Sequence, residues 1–361
     1  MARRSLIPIG ILAAMGALAF AGAQARTYEL PPHVECNYRL ARSGDAPADI
    51  LFIGNSRSGA AIDPKFVSDR LSEQVGRAVR AERIALTRPY LPQFQLISRE
   101  YAEHRGYPDI VVLQLLYNRN PKKQDRVDRP IHELRNIAYG DLQDLYDIQA
   151  DARPNRSWLS ARLDKGWRPM PAVALDKFST NIYAALRYPA RAIRDGIPDC
   201  DSREGKRQSA KWLYDDLDIA ASQPPKAPSE DEARKWRKRT SRYLGTDAQA
   251  TFRGFENDQI DRLIAMWRGG GSRVRLVIYP HVYETLSASE RAAIATRFPE
   301  AELVDGVNAL AAGMAAPYPA YYRDPNHVNS DGALVISTFV AAELARDLST
   351  SRSRKRLAAR R

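Results

Sequence analysis

Three short polar segments hold side chains of the kinds that carry out acyl transfer. A Gly-Asn-Ser sequence ends at Ser56, whose hydroxyl could serve as a nucleophile. Asp324 and His327 lie three residues apart, which would let the imidazole take the serine proton while the carboxylate orients the ring. Asn118 follows the most strongly apolar run of the chain, and its amide could donate to an oxyanion. These residue types predict a serine-dependent reaction at an ester.

The elements that must position these segments alternate between strands and helices. Unbroken apolar runs such as 109–116 are typical of strands buried on both faces of a parallel sheet. Strands are predicted at 49–54, 81–86, 109–116, 273–279 and 301–304, and helices at 63–79, 93–104, 256–268, 287–297 and 333–348. This order predicts a three-layer α/β/α domain with a mainly parallel sheet. Ser56 and Asn118 then follow the carboxyl ends of strands, where ligands bind. His281 also follows a strand and could line the same edge or be structural only.

Three segments fall outside this alternating pattern. Residues 26–48 contain two adjacent prolines and a Ser-Gly-Asp sequence, and we predict an irregular lead-in there. Residues 121–251 lack strong strand signals and are predicted to be a mostly helical insertion within a domain spanning 26–348. Residues 349–361 are rich in arginine and serine, and they are predicted to form a basic, disordered tail.

Residues 1–25 have the pattern of an export signal. Arg3 and Arg4 precede an apolar run, and an Ala-Gln-Ala cleavage sequence ends at Ala25. The apolar run is short for a membrane-spanning helix, which needs roughly 20 residues, but an uncleaved anchor in the inner membrane is the alternative. In both cases the chain is predicted to act outside the cytoplasm, in the periplasm or as a secreted protein.

Export changes how the cysteines and the charge are interpreted. Cys36 and Cys200 are the two cysteines, and an oxidising compartment favours a disulfide between them over two free thiols. The net charge is +12, part of which belongs to the solvated tail. The polyanions available to an exported protein are phospholipid headgroups and acidic polysaccharides, although a solvated tail explains this charge without any partner. The expected partners are a polysaccharide or other acyl-ester substrate and an envelope or membrane assembly, and not nucleic acid. We expect no cofactor and no metal, because the sequence has no phosphate loop, dinucleotide motif or zinc signature.

Together, the polar segments resemble the sequence blocks of the SGNH/GDSL hydrolase superfamily. Residues Ile53–Ser56 are similar to the first block, in which Gly-Asp-Ser or Gly-Asn-Ser ends the first strand. Asp324–His327 is similar to the last block, Asp-x-x-His, and Asn118 is what this chain keeps of the third block. The second block departs from the family, because a Thr-Arg-Pro sequence centred on Arg88 replaces the glycine whose N–H helps to form the oxyanion hole. Thr87 or Arg88 can still present an N–H, whereas Pro89 cannot.

The resemblance implies a flavodoxin-like sheet, with Ser56, Asp324 and His327 as catalytic residues and Asn118 and Arg88 as oxyanion donors. It also implies an exported esterase or O-acyltransferase acting on acyl esters, such as acetyl esters, of envelope or exported polysaccharide. The alternative is a non-catalytic SGNH-like module that binds glycans or scaffolds an envelope assembly. The motifs also have ordinary explanations, since Gly, Asn and Ser are common turn residues and an aspartate can simply cap a turn.

Overall fold

The computed structural model describes residues 32–86, 91–115, 227–240, 255–284, 286–313 and 318–358. The predicted export segment, most of the insertion, Arg88, Asn118 and the side chains of the predicted Cys36–Cys200 disulfide lie outside these described parts. Within the described ranges, no helix combines the length and the apolar composition needed to cross a membrane.

Five strands form the central sheet. They are β1 (Ile50–Asn55), β2 (Ala81–Leu86), β3 (Ile110–Gln114), β4 (Arg273–Ile278) and β5 (Glu302–Asp305). Their spatial order is β2-β1-β3-β4-β5, and every neighbouring pair runs parallel. This is the strand order of flavodoxin-like folds, in which the chain reverses its direction across the sheet between β1 and β3. The predicted parallel sheet is confirmed.

Helices cover both faces of the sheet and complete a three-layer α/β/α architecture. They are α1 (Pro32–Arg42), α2 (Ser56–Ala61), α3 (Pro64–Val75), α4 (Leu91–Arg105), α5 (Glu230–Thr240), α6 (Phe255–Gly269), α7 (Ala288–Arg297), α8 (Gly306–Ala312) and α9 (Ser330–Ala358). α1, α4 and α6 pack together on one face, whereas α3 and α9 pack together on the other.

Alternating side chains of each central strand enter the two helical layers. In β1, Leu51 and Ile53 join the core beneath α1, α4 and α6, whereas Ile50 and Phe52 join the core beneath α3 and α9. β3 repeats this division of its side chains between the two cores. Burial on both faces explains why these strands are continuous apolar runs in the sequence.

The predicted irregular lead-in is wrong for residues 32–42, which form α1. Tyr38 and Ala41 are buried one helical turn apart against the sheet core. Asn37 pairs with the outer edge of β2, donating to Ala85 O at 3.0 Å and accepting from Ala85 N at 2.9 Å. Pro32, one of the two adjacent prolines that suggested an irregular segment, is instead the first residue of the helix, where proline is tolerated.

The last helix is longer at both ends than the predicted 333–348. α9 begins at Ser330, because the Asn329 side chain accepts a hydrogen bond from Gly332 N at 3.1 Å and so caps the helix. It continues to Ala358, through most of the segment predicted to be a disordered tail. The physical reason is that no glycine or proline follows Gly332, and arginine, lysine, leucine and alanine all favour helices.

A short hairpin between α8 and α9 was not predicted. A 3₁₀ turn at Tyr318–Tyr321 leads into β6 (Tyr322–Asp324), which pairs antiparallel with β7 (His327–Val328). Strands of three and two residues are too short to give an alternating pattern in the sequence. This hairpin carries both Asp324 and His327, so it positions two of the three predicted catalytic residues.

Candidate active site

Ser56 lies where β1 ends and α2 begins, at the carboxyl edge of the sheet. The neighbours of β1 are β2 on one side and β3 on the other, so Ser56 follows the strand at which the chain reverses its direction. Asn55 caps α2, because its side-chain oxygen accepts a hydrogen bond from Arg57 N at 2.8 Å. The cap fixes the turn and leaves the Ser56 side chain half-buried at the edge of the sheet.

Gln114, the last residue of β3, holds this turn from the adjacent strand. Its Oε1 accepts a hydrogen bond from Asn55 N at 2.8 Å. The β1–β3 pairing ends at Ile53 and Leu113, so no carbonyl of β3 pairs with Asn55 N. The Gln114 side chain supplies the acceptor instead. Gln114 Nε2 is buried and makes no hydrogen bond with any described residue. Gln114 is the only polar residue of the buried strand β3, and this was the signal in the sequence for its role in holding the turn. The sequence analysis did not assign it that role.

Gly54 is required by the close approach of three elements at this point. A Cβ added to Gly54 would lie 2.4 Å from the Cβ of Ser58 in α2 and 2.6 Å from Gln114 Oε1 in β3. Both distances are shorter than any ordinary contact between these atoms. The glycine of the Gly-Asn-Ser sequence therefore allows α2 to pack directly onto the end of the sheet.

The β6–β7 hairpin folds around Asp324. Asp324 Oδ1 accepts hydrogen bonds from Asn326 N at 2.8 Å and from His327 N at 3.1 Å. An aspartate that binds its own backbone two and three residues later closes a tight turn. The spacing of the Asp-x-x-His sequence is thus the spacing that lets one carboxylate both shape the turn and reach the histidine ring.

Ser56, His327 and Asp324 form one continuous chain of hydrogen bonds. His327 Nε2 lies 2.9 Å from Ser56 Oγ, and its Nδ1 lies 2.8 Å from Asp324 Oδ2. Because a carboxylate only accepts hydrogen bonds, Nδ1 carries the proton and Nε2 is left to accept from the serine hydroxyl. The structure therefore brings together the three residues predicted from the sequence, in the order that a nucleophile, its base and an orienting acid would need.

The electrostatics of Asp324 keep it ionised. Burial acts to raise the pKa of Asp324, but hydrogen bonds from His327 and from Asn326 N outweigh it, and the net pKa is lowered from 3.8. The carboxylate is 42% exposed and the histidine side chain 19% exposed. An ionised Asp324 stabilises the imidazolium that forms when His327 takes a proton.

The loop after β4, residues 279–284, supports the hairpin from the side. Val282 N donates to Pro325 O at 3.0 Å, and His281 Nδ1 lies 3.0 Å from Asn326 Oδ1. His281, which the sequence left open between lining the cleft and a structural role, therefore braces the turn between Asp324 and His327. This contact makes it part of the support of the site.

Arg57 directly follows Ser56 in the chain and was given no role by the sequence analysis. Its Nη1 donates to Tyr279 O at 2.8 Å, and this bond crosses the carboxyl end of β3. Burial lowers the pKa of Arg57, while the negative fields of Glu284 and Tyr322 raise it in part. A charged residue directly after the serine, in a helix otherwise made of small residues, was the signal that could have identified it.

The two predicted oxyanion donors, Asn118 and Arg88, lie outside the described residues, and their position relative to Ser56 stays a prediction. Among the residues that the structure does describe, no cluster of three or more His, Cys, Asp or Glu side chains could hold a metal ion. Neither the protein-family models nor the curated proteins include a match to this chain. The site is therefore interpreted from its own geometry.

Proposed function

We propose that this chain is a serine esterase or O-acyltransferase of the SGNH type. The observation that supports this most directly is the hydrogen-bond chain from Ser56 Oγ through His327 to Asp324 at the carboxyl edge of a parallel sheet. An aspartate that only caps a turn would not need a histidine, and a histidine that only fills a core would not point at a serine. All three roles of the reaction are occupied in the correct order.

The reaction proceeds in two transfers. Ser56 Oγ attacks the ester carbonyl carbon while its proton passes to His327 Nε2, and a tetrahedral oxyanion forms. The oxyanion collapses, the bond to the alkoxy oxygen breaks, and His327 returns the proton to the leaving alcohol. A water or a sugar hydroxyl then attacks the acyl carbon of the acyl-enzyme and gives its proton to His327. The bond from that carbon to Ser56 Oγ breaks, and His327 protonates the released oxygen. Water gives hydrolysis, and a sugar hydroxyl gives acyl transfer.

Oxyanion stabilisation is assigned to the Asn118 amide and to the backbone N–H of Arg88. Both assignments come from the resemblance of the sequence blocks and not from a measured distance. Donors of this kind act where charge develops, and loss of one typically lowers kcat by about 10²–10³-fold. Asn118→Ala should therefore slow ester turnover by about that factor.

The proposed substrate is an acyl ester on envelope or exported polysaccharide, and the proposed location is the periplasm or the exterior. The export pattern at residues 1–25 supports the location, and a net charge of +12 favours an acidic polymer. We favour transfer over hydrolysis because the altered second and third sequence blocks resemble those of SGNH-like proteins of bacterial envelopes, some of which O-acetylate polysaccharides. Acetylated sugar, detected by mass spectrometry after incubation with an acetyl donor and an acidic polysaccharide, would support transfer. Free acetate alone would support hydrolysis.

A non-catalytic glycan-binding or scaffold module is the second candidate. The observation that favours it is the Thr-Arg-Pro sequence around Arg88, which lacks the glycine of the second block. A fluorophosphonate probe distinguishes the two, because it acylates only an activated serine. Labelling of Ser56, identified by peptide mass spectrometry and absent in Ser56→Ala, supports the enzyme. An unlabelled wild-type protein that also turns over no acetyl ester would refute it in favour of the module.

A further inference from the structure

Each end of the loop at residues 279–284 is contacted by an arginine from another part of the chain. One of these arginines, Arg57, directly follows Ser56. Arg57 donates to Tyr279 O, at the start of the loop. The guanidinium of Arg237, from α5 in the insertion, lies 5.0 Å from the centre of the Tyr283 ring, near the end of the loop. The same loop braces the hairpin that carries Asp324 and His327 through Val282 and His281. The two cations are therefore connected to the catalytic residues by one short segment.

Arg57 is placed to bind an anion. Among the described residues its guanidinium makes one hydrogen bond, to a backbone carbonyl, and no ion pair; Glu284 acts on it only through its field. A guanidinium has five N–H donors in a planar fork that matches a carboxylate, and removing it from water without such a partner is unfavourable. The side chain is half-buried, so it retains access to the surface of the site.

α5 continues the positive charge away from the site. Its first turn is acidic, and Asp231 from that turn forms ion pairs with Arg234 and with Lys235. Its last turn is basic and exposed, with Arg237, Lys238 and Arg239. Trp236 packs against the sheet core, which fixes this turn to the body of the domain. Arg237 lies over the Tyr283 ring, and a guanidinium held by its charge over a ring keeps N–H donors that a ligand can use.

We propose that the ester substrate is an anionic glycan, with a sugar carboxylate bound by Arg57 next to Ser56 and the chain continuing over Tyr283 to the basic last turn of α5. This inference rests on the proposed function for the identity of the ester. It goes further by naming the two arginines that select a uronate over a neutral sugar. A two-pronged contact between the Arg57 guanidinium and a sugar carboxylate, close to Ser56, would fix which sugar unit of the chain presents its ester to the serine and where that ester lies.

The kinetic test compares two acetylated tetrasaccharides, acetylated tetragalacturonate and acetylated xylotetraose. The wild-type protein should have a kcat/KM at least about tenfold higher for the uronate, the size expected of a charge-assisted hydrogen bond. That preference should disappear in Arg57→Gln and fall by about two- to fivefold in Arg237→Gln, because Arg237 is more exposed. Arg234→Gln is the matched control for Arg237→Gln. It removes the same charge from the same helix, but Arg234 is paired with Asp231, so this variant should keep the preference for the uronate.

Two further measurements use no arginine variant, so their outcome does not depend on whether such a variant folds. They are the salt dependence of the wild-type preference and the binding of sugars to Ser56→Ala. The wild-type preference for the uronate should shrink at about 1 M salt, where the Debye length is about 3 Å. Ser56→Ala should bind unacetylated tetragalacturonate, and not xylotetraose, in isothermal titration calorimetry. Equal kcat/KM for both esters, or a preference that Arg57→Gln retains, would overturn the anion site while leaving the esterase intact. Conversely, uronate binding that needs Arg57, in a protein that turns over no ester, would keep the anion site and refute the esterase.

Discussion

Ser56 Oγ and His327 Nε2 lie 2.9 Å apart although 271 residues separate them in the chain. The serine is held by the cap at Asn55 and by Gln114 from the neighbouring strand. The histidine is held by the Asp324 turn, which the loop after β4 braces. The hydrogen bond thus depends on two rigid pieces meeting through the packing of α2 against β7. Its geometry is a property of the fold and not of either motif alone.

We expect Ser56→Ala and His327→Ala each to abolish turnover of a small acetyl ester such as 4-nitrophenyl acetate. The serine supplies the nucleophile and the histidine its base, so neither works without the other. The double variant should be little slower than either single variant, because the two residues act as a unit. Steady-state kcat/KM, with active-site titration by the fluorophosphonate probe, measures all three.

His104→Ala is the control for the histidine change, since His104 is exposed on α4 and lies outside the site. It should retain wild-type kcat/KM. Effects of Ser56→Ala and His327→Ala that multiplied in the double variant would show independent action and would contradict the triad.

Asp324→Asn should lower kcat by roughly 10²–10⁴-fold at neutral pH, because an amide no longer fixes the ring tautomer or stabilises the imidazolium. It should also change the pH dependence of stability. The folded chain lowers the pKa of Asp324 below 3.8, so the ionised carboxylate stabilises the fold above that pH. This contribution is lost as the pH falls through the lowered pKa, and the asparagine variant lacks it at every pH.

Urea unfolding of wild type and Asp324→Asn, repeated across the acid range, measures this difference directly. The free energy of unfolding of the wild type should exceed that of the variant at neutral pH. The gap should narrow as the pH falls below 3.8. A gap that stayed constant down to the lowest pH at which the protein folds would show that the Asp324 pKa is not lowered.

The main features of the fold could be predicted because the central strands are buried on both faces. β2 spans the predicted 81–86, and β4 ends one residue before the predicted 279. α1 was missed because its contacts with the sheet come from Asn37, Tyr38 and Ala41, a mixed set without a long apolar stripe. Helix ends depend on single residues, such as Gly76, whose left-handed φ of 66° stops α3 at Val75 and not at 79.

The site was predictable only in part for a related reason. Ser56, Asp324 and His327 are chemically distinctive and stand in motifs, so their types were informative without any structure. Gln114 and Arg57 act through their positions across the carboxyl ends of neighbouring strands, and those positions exist only once the strand order is known. The functional meaning of a polar residue in a buried strand therefore came from topology and not from the sequence pattern.

Asp347→Asn should destabilise the protein without altering the site. Asp347 in α9 accepts hydrogen bonds from Arg273 Nη1 at 2.7 Å and from Arg275 Nε at 2.6 Å, and 7% of its side chain is exposed. Burial acts to lower the pKa of Arg275, but the hydrogen bonds and charges of Asp347 and Glu302 together outweigh it and raise the net pKa. Losing this charge removes the carboxylate that both guanidiniums share, while Arg275 keeps its ion pair with Glu302. The free energy of unfolding should therefore fall by about 1–3 kcal/mol.

Arg273 is the first residue of β4, so this cluster lies at the opposite end of the strand from the site. The kcat of Asp347→Asn, measured well below its midpoint of thermal unfolding, should equal that of the wild type. Asp69→Asn is the control, because the Lys65–Asp69 ion pair on α3 is exposed and should contribute little to stability. A large loss of kcat in Asp347→Asn would contradict the separation of the two ends of the sheet.

Gly54→Ala should damage both stability and catalysis. The new methyl group would meet the Ser58 Cβ at 2.4 Å and Gln114 Oε1 at 2.6 Å. The Cβ of Ser58 is bonded directly to the backbone of α2, and Ser58 is buried. The clash can therefore be relieved only if α2 moves away from the sheet. Overpacking of this kind should lower the free energy of unfolding by about 1–3 kcal/mol. The movement would also break the hydrogen bond from Asn55 N to Gln114, and a displacement of Ser56 by about 1 Å should lower kcat by about 10²-fold.

Gly269→Ala provides the matched control for this change. Gly269 is the last residue of α6, has no atom within 4 Å of an added Cβ, and has no left-handed φ. Alanine there should leave kcat unchanged and should keep or slightly raise the free energy of unfolding, since it reduces the conformational entropy of the unfolded chain. Urea unfolding and kcat on 4-nitrophenyl acetate, measured for both variants, test the pair together. If Gly54→Ala lost stability but kept wild-type kcat, the close packing of α2 on β1 and β3 would be structural alone, and the position of Ser56 would not depend on it.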